Sequence, residues 1–341
     1  VQLYLEERWV EPPREGKLPF SLLFHQTLST LASCGELTPP ELASRVLRLS
    51  PFSHITQDDY RILLRHMLET DMIQATANRG LIVGLAGARI TGSYKFYAVF
   101  REDEEFAVRW ESQELGTLVQ PPPVGERVAI AGRVWEVMEL DLRKRVLYVE
   151  PVRGNVPAYF GLVPGDIQTK VLERMRRVLT EDAVYPYLQR NAAQRLYEAR
   201  MQAQASLEVQ GTRMDARRDM LFRLGGDMWC LMPWLGTYAF LALERFLRLV
   251  CGAELKLSGF ESSRPYFMQF HMKASEEEFW EVVRRRASEP AEPMRYLYDG
   301  ENPIFEKYDD YVPPELLRRA FACGVLDVEG ALARMREAAE G

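Results

Sequence analysis

One tryptophan with cations near it in the sequence is the clearest candidate for chemistry in this chain. Trp135 lies in the middle of a β-rich run, and Arg133 comes two residues before it. The basic triplet Arg143, Lys144 and Arg145 follows in a predicted turn. An indole held by a strand can stack on any nucleobase for about 1 to 3 kcal/mol, while cations hold the phosphates in a salt-dependent way. The pattern indicates a site for single-stranded nucleic acid, although periodicity alone favours a core position for the same indole.

The segment that positions these residues runs from Gly125 to Gly161. Two β-rich runs, Val128 to Met138 and Val146 to Val149, are joined by a polar break, and this pattern predicts a β-hairpin. A loop rich in Pro and Gly follows and ends in Tyr159 and Phe160. These two aromatic residues are further candidates for nucleic-acid contact, although aromatic residues after such a loop more often anchor it to a sheet.

This segment resembles the β-barrel that follows the motor in Lhr-type DEAD/DEAH-box helicases, which belong to superfamily 2. The matching residues are Gly125, Gly132, Trp135, Val137, Glu139, Pro151, Gly154, Pro157 and Phe160. The resemblance implies that Trp135 contacts the translocated strand. It also implies that the whole protein is an ATP-dependent 3′ to 5′ translocase on DNA or RNA:DNA duplexes, with RecA-like domains upstream of this part.

A winged-helix unit is predicted before the barrel. Three amphipathic helices, the second with a capping box at Thr38 and the third beginning at Thr56, precede two short strands around an Asn-Arg-Gly turn. Three helices followed by a two-stranded wing form the winged-helix arrangement, a relative of helix-turn-helix. Its arginines Arg61, Arg65 and Arg79 are candidate phosphate contacts. The alternative is a packing spacer whose arginines are only solvated.

The remaining patterns complete an α+β, multidomain fold. Strand-like runs from Gly92 to Val152, the first of them Tyr94 to Phe100, predict a small antiparallel β-barrel or curled sheet. Helical and then mixed periodicity follows. We therefore expect a connector at 1–18, a winged helix at 19–91, a barrel at 92–164 and a helical to α+β part at 165–341. The basic faces of the first helices after the barrel are typical of solvated surface or, less commonly, of a channel lining.

Composition excludes several classes of protein. The net charge of −6 excludes a uniformly basic nucleic-acid binder, although 20 Lys and Arg face 18 Asp and Glu between Arg89 and Arg218. The four cysteines are far apart, so neither a disulfide framework nor a zinc site is indicated, and a cytoplasmic location fits. The longest apolar run is interrupted by Pro233 and Gly236, which argues against a membrane span. A first residue of Val suggests that more chain lies upstream.

No motif for ATP hydrolysis is present. The single Gly-Lys pair, Gly16 and Lys17, lacks the preceding glycine and the following Ser or Thr of a phosphate-binding loop. We therefore expect no catalytic residue, metal or cofactor in this part, and assign ATP and Mg²⁺ to the upstream motor. The expected partners are single-stranded DNA or RNA, an RNA:DNA duplex, and the upstream RecA-like domains.

Two alternative functions stay open at this point. One is a base-excision glycosylase, because Gln202-Ala203-Gln204 matches a short element of winged-helix alkylpurine glycosylases. The other is a protein-interaction platform that binds no nucleic acid.

Overall fold

Two compact units divide the chain in this computed structural model. The helical unit comprises Val1–Val99 and Asp166–Gly341, and the sheet unit comprises Phe100–Gly165. The structure describes residues 1–14, 16–100, 105–118, 124–125, 127–141, 144–152, 166–208 and 220–340. Over these residues the fold is α+β, as predicted, with three β-sheets.

The first part of the helical unit is mostly helical. Its elements are α1 (Gln2–Leu5), α2 (Phe20–Cys34), α3 (Pro39–Val46), α4 (Gln57–Glu69), β1 (Ile73–Ala75), β2 (Leu81–Val83) and α5 (Leu85–Thr91). Two 3-10 helices, Ser50–Phe52 and Tyr94–Tyr97, complete it. The second of these corrects the prediction of a strand there: Phe96 is buried while Tyr94 and Tyr97 on either side are exposed, a pattern that one turn of helix satisfies as well as a strand.

Local sequence signals explain where these helices begin and end. The α2 residues Phe20, Phe24, Leu28 and Leu31 form the predicted apolar stripe, and all are buried. The predicted capping box at Thr38 is present. At the start of α4, Asp59 N donates to Thr56 Oγ1 at 3.1 Å and Asp59 Oδ2 accepts from Thr56 N at 3.0 Å. Reciprocal bonds of this kind satisfy amide donors that the helix itself leaves without acceptors.

A small β-structure joins these helices. β1 and β2 form the predicted antiparallel hairpin, with Gln74 opposite Ile82. Leu37, between α2 and α3, pairs with Leu81 through main-chain bonds of 3.1 and 2.7 Å. The hairpin is therefore extended by one residue from the α2–α3 connection, and this fixes its position beside the helices.

The second part of the helical unit is α+β. Its helices are α6 (Thr169–Thr180), α7 (Arg190–Glu208), α8 (Thr237–Arg245), α9 (Gly252–Leu255), α10 (Glu276–Ala287), α11 (Pro314–Ala320) and α12 (Val328–Glu340). β8 (Leu221–Gly225), β9 (Met228–Leu231), β10 (Ser258–Ser263) and β11 (Phe267–His271) form an antiparallel sheet in the order β10-β11-β9-β8. Phe240, Phe270 and Phe279 lie in its core, and Trp229 is buried there.

A glycine fixes the start of α8 against the start of α6. Gly236 N donates to Thr169 Oγ1 at 3.0 Å, and Thr237 N donates to Ile167 O at 2.9 Å. A side chain at Gly236 would put its Cβ 2.5 Å from Ile167 O, so only glycine fits. The Pro-aromatic-Gly turn that ends at Gly236 thus has a packing role.

The C-terminal region also contributes to the apolar core of the first part. Tyr308, Val312, Leu316 and Leu317 lie in the same cluster as the α2 stripe. The rings of Phe24 and Tyr311 stack with centroids 5.2 Å apart. Arg319 on α11 donates to Oδ1 of Asp59, whose side chain has no exposed surface. The C-terminal region therefore completes the core that the first helices begin.

The sheet unit is a curled five-stranded sheet. Its strands are β3 (Phe106–Trp110), β4 (Gln113–Leu118), β5 (Arg127–Ile130), β6 (Arg133–Asp141) and β7 (Val146–Pro151), in the order β4-β3-β7-β6-β5. The sheet curls into a half-barrel. One pair departs from the antiparallel prediction, because β3 runs parallel to β7. Parallel neighbours need a long connection, and here β4, β5 and β6 supply it.

Among the described residues, no helix combines the length and the apolar character needed to cross a bilayer.

We expect Arg319→Ala to lower the free energy of unfolding of the helical unit by about 2 kcal/mol, because it leaves a fully buried carboxylate without its cation. Urea denaturation followed by far-UV circular dichroism measures this change. Glu315→Ala, at an exposed position of the same helix, is the matched control. Equal midpoints for both variants would show that the contact between Asp59 and Arg319 does not hold the two parts together.

Candidate nucleic-acid interface

The α4 helix exposes two of the predicted phosphate contacts. Arg61 and Arg65 are one helical turn apart on α4 and both are exposed. Arg61 forms an exposed ion pair with Asp58, which weakens its attraction for a phosphate. Arg65 has no ion pair among the described residues. The capping box at Thr56 and the burial of Leu63 and Met67 hold this helix in place.

The third predicted contact lies at the tip of the β1–β2 hairpin. Arg79 is exposed and has a positive φ of 63°, as the tight turn requires. Arg79 N donates to Thr76 O at 3.1 Å, and Gly80 N donates to Thr76 Oγ1 at 3.1 Å. Thr76 Oγ1 in turn donates to the carboxylate of Glu36. The turn is therefore rigid, with its guanidinium outward and a carboxylate at its base.

The central prediction for the sheet unit needs correction. Trp135 is only 2 % exposed, its Nε1 donates to Ile130 O at 3.0 Å, and its ring lies 5.4 Å from that of Trp110. It belongs to a core with Val108, Leu118, Val128, Val137, Leu147 and Val149. A ring enclosed in this way has no face free for a nucleobase. The prediction that Trp135 stacks on a strand is therefore wrong, and the core alternative is the correct one.

The cations predicted to surround Trp135 are also not clustered. Arg133 begins β6, whereas Lys144 and Arg145 lie in the turn after its last residue, Asp141. Nine strand residues at about 3.3 Å each separate the two ends by roughly 26 Å. Lys144 also pairs with Asp141 at 3.3 Å. The exposed Arg133 and the exposed turn are therefore at opposite ends of the strand.

Three further predicted contacts, Arg143, Tyr159 and Phe160, lie outside the described residues. Charge over the whole sheet unit can still be read from the sequence. Residues 100–165 contain eight Lys and Arg against eleven Asp and Glu. Cross-strand pairs such as Arg127 with Glu136, at 3.8 Å, neutralise part of the positive charge. The sheet unit thus lacks the excess of positive charge typical of a phosphate-binding surface.

Two arginines of α6 and α7 have structural partners. Arg174 donates to Glu181 at 2.6 Å, and Arg200 donates to two main-chain carbonyls at 2.8 and 3.0 Å. Burial alone would raise the pKa of Glu181, but hydrogen bonds from Tyr185 and Arg174 hold that pKa below its usual range. Both guanidinium groups therefore stabilise the α6–α7 turn, which argues against a channel lining formed by these two residues.

Two exposed tyrosines were not among the predicted site residues. Tyr94 and Tyr97, on the 3-10 helix after α5, are 78 % and 91 % exposed. Their sequence, Tyr-Lys-Phe-Tyr, resembles that of a half-buried strand, so the run was predicted as a strand and the tyrosines were not considered as site residues. A signal was available: an aromatic pair three residues apart with a lysine between, which on a helical turn places both rings on one side.

A histidine anchors that 3-10 helix. His25 is buried in α2, its Nε2 donates to Phe96 O at 2.8 Å, and the rings of His25 and Phe96 are 4.4 Å apart. Its Nδ1 accepts from Gln26 Nε2 at 3.3 Å, so the neutral imidazole satisfies both partners. Burial lowers the pKa of His25 below its usual 6.5, and the nearby Lys307 adds to this effect.

Within the described ranges, no group of three or more His, Cys, Asp or Glu side chains is arranged to hold a metal ion.

Replacing Trp135 by alanine should lower the free energy of unfolding of the sheet unit by about 3 to 5 kcal/mol, because it removes the largest side chain of a small core. Thermal unfolding followed by near-UV circular dichroism measures the loss. Met138→Ala, at a half-exposed position of the same strand, is the control. Trp135→Phe preserves most of the core. A loss of single-strand affinity above fivefold in that variant would contradict the core assignment and support a stacking role for Trp135.

Lowering the pH from about 7 to about 5 should destabilise the helical unit through His25. The unfolded chain takes up a proton near the usual pKa of 6.5, whereas the folded protein resists protonation until a lower pH. Protons therefore favour unfolding below that pKa. Urea denaturation at several pH values compares the protein with His25→Gln, which retains a donor for Phe96 O. Parallel pH curves for the two proteins would contradict this role.

A scan against protein-family models and searches of curated proteins and of solved structures find no match for this chain.

Proposed function

We propose that this chain is the nucleic-acid-binding accessory region of an ATP-dependent helicase of the Lhr type, and that it guides a strand moved by RecA-like domains elsewhere in the protein. The observation that carries the proposal is the order and pairing of α2, the Leu37 bridge, α3, α4 and the β1–β2 hairpin. This is the order of elements in a winged-helix domain, in which the third helix and the hairpin contact nucleic acid.

The residues at the expected contact positions support this assignment. Arg61 and Arg65 are exposed on the third helix, and Arg79 is exposed at the hairpin tip. Guanidinium groups on rigid elements can bind phosphate oxygens without reading the base sequence. We therefore assign these three arginines to the phosphates and assign no base-specific contact.

The sheet unit has a different part in this proposal. Trp135 is buried and the net charge of residues 100–165 is negative, so Trp135 supplies no stacking ring and the unit has little phosphate attraction of its own. Lys144 and Arg145, in the turn after β6, are the described cations of this unit that lie next to each other. We assign them a secondary role in holding the strand backbone, and ATP and Mg²⁺ to the motor domains.

The triple variant Arg61→Gln, Arg65→Gln, Arg79→Gln should bind a labelled single strand more weakly and with less dependence on salt. Each lost phosphate contact removes about 0.7 from the slope of log K against log salt concentration for a single strand, so the slope should decrease by about 2. Fluorescence anisotropy between about 50 and 200 mM salt measures both quantities.

The control removes the same charge from other exposed positions, as Lys17→Gln, Lys256→Gln, Lys273→Gln. Equal slopes for the two triple variants would show that the effect depends only on overall charge, and would contradict a winged-helix contact. Absence of salt-dependent binding by the unmodified protein would favour the protein-interaction alternative.

A further inference from the structure

The side chains of Tyr94 and Tyr97, here called the tyrosine pair, have no structural role in the described part of the chain. They are 78 % and 91 % exposed. Neither hydroxyl has a hydrogen bond, and neither ring a ring contact, with any described residue. An aromatic side chain can bury roughly 150 to 250 Å² of surface, so these two rings offer a large contact area to a ligand.

The main chain under the tyrosine pair is held rigidly. His25 Nε2 donates to Phe96 O at 2.8 Å, while Lys307 Nζ donates to Ala98 O at 2.7 Å and Tyr308 Oη donates to the same oxygen at 3.2 Å. The ring of Phe96 is buried between the two exposed tyrosines. Because the turn is fixed before any ligand arrives, binding there costs little conformational entropy.

The geometry of a 3-10 helix places the two rings on one side. Residues three apart eclipse each other, and at about 2.0 Å per residue Tyr94 and Tyr97 are about 6 Å apart along the axis. Successive bases in a stacked strand are about 3.4 Å apart, so this separation is close to two stacking steps. Each ring can therefore contact a different base, or both can contact the two faces of one base.

The segment that carries the tyrosine pair has a positive net charge, which favours a polyanion. Residues 72–100 contain no Asp or Glu, in a chain that has 49 of them. The same segment contains Arg79, Arg89 and Lys95, and Arg79 is one of the arginines assigned to phosphate. Two exposed rings on a segment with this charge match bases joined by phosphates better than an apolar protein partner.

We propose that Tyr94 and Tyr97 form a stacking site for the unpaired bases of a single strand. The proposal rests on the nucleic-acid-binding function above and adds that the ligand is single-stranded. Bases in a duplex are stacked on each other and have no face free for a tyrosine ring. The arginines of α4 and of the hairpin hold the backbone, and the tyrosine pair takes the bases. Stacking on a tyrosine tolerates any base, as a translocating enzyme requires.

The test uses fluorescence anisotropy of the whole chain with labelled oligo(dT) of about 16 nucleotides, and with an abasic oligonucleotide of equal length and charge. Tyr94→Ala with Tyr97→Ala should weaken oligo(dT) binding about tenfold per ring, with little change for the abasic strand. Tyr94→Phe with Tyr97→Phe, which keeps the rings, should bind oligo(dT) within about twofold of the unmodified protein, because a lost phenol hydroxyl does not affect stacking.

Three outcomes would overturn the stacking site. The alanine variant could bind oligo(dT) as the unmodified protein does, or it could lose affinity equally for the abasic strand, or it could change the oligomeric state in light scattering while affinity stays constant. The last result would assign the tyrosine pair to a contact between chains. A failure of the proposed function is distinct, because then the unmodified protein itself would show no salt-dependent binding to either strand.

A second readout covers any effect of alanine on folding. Tyr97→Trp, which keeps an exposed ring on the same turn, should show indole fluorescence that oligo(dT) quenches and the abasic strand does not. Fluorescence unaffected by saturating oligo(dT) would contradict stacking at this position.

Discussion

The contact between Asp59 and Arg319 joins segments that are far apart in the sequence, and the helical unit depends on it. Asp59 caps α4 through Thr56 and, with its other oxygen, accepts from α11. Because its carboxylate is fully buried, both of its oxygens need hydrogen-bond partners within the protein. The position of α4 is therefore set by the C-terminal region as well as by its own cap. The same region supplies Lys307 and Tyr308, which hold the 3-10 helix of the tyrosine pair.

This dependence makes the candidate surface a product of the whole helical unit. The exposed arginines are on α4 and on the hairpin that follows it, and the tyrosines are on the 3-10 helix after α5. Each of these elements contacts residues from the C-terminal region or from α2. A site on preorganised elements loses less entropy on binding than one on a free loop. The proposed division of work, with guanidinium groups on phosphates and phenol rings on bases, needs that rigidity.

How much of this was readable in the sequence depended on the range of the interaction concerned. The α2 stripe, the capping box at Thr38 and the start of the third helix at Thr56 involve residues within a few turns of helix, and the structure contains them as predicted. The parallel pairing of β3 with β7 joins distant segments, and no local pattern encodes it. The prediction that Trp135 contacts a strand was wrong for a related reason. Alternation along β6 indicates which residues share a face, but only the curl of the sheet decides that this face is enclosed.

The contact between the half-buried Trp110 and the buried Trp135 also gives the sheet unit a spectroscopic signal of its own. Their rings lie 5.4 Å apart at an interplanar angle of 51°, and two chromophores this close and not parallel exchange excitation energy. Such coupling produces a paired positive and negative band in the circular dichroism of indoles. Since both indoles belong to residues 100–165, the band follows the state of that unit while helical signals follow the rest. The two units can thus be observed separately in one spectrum of the unlabelled protein.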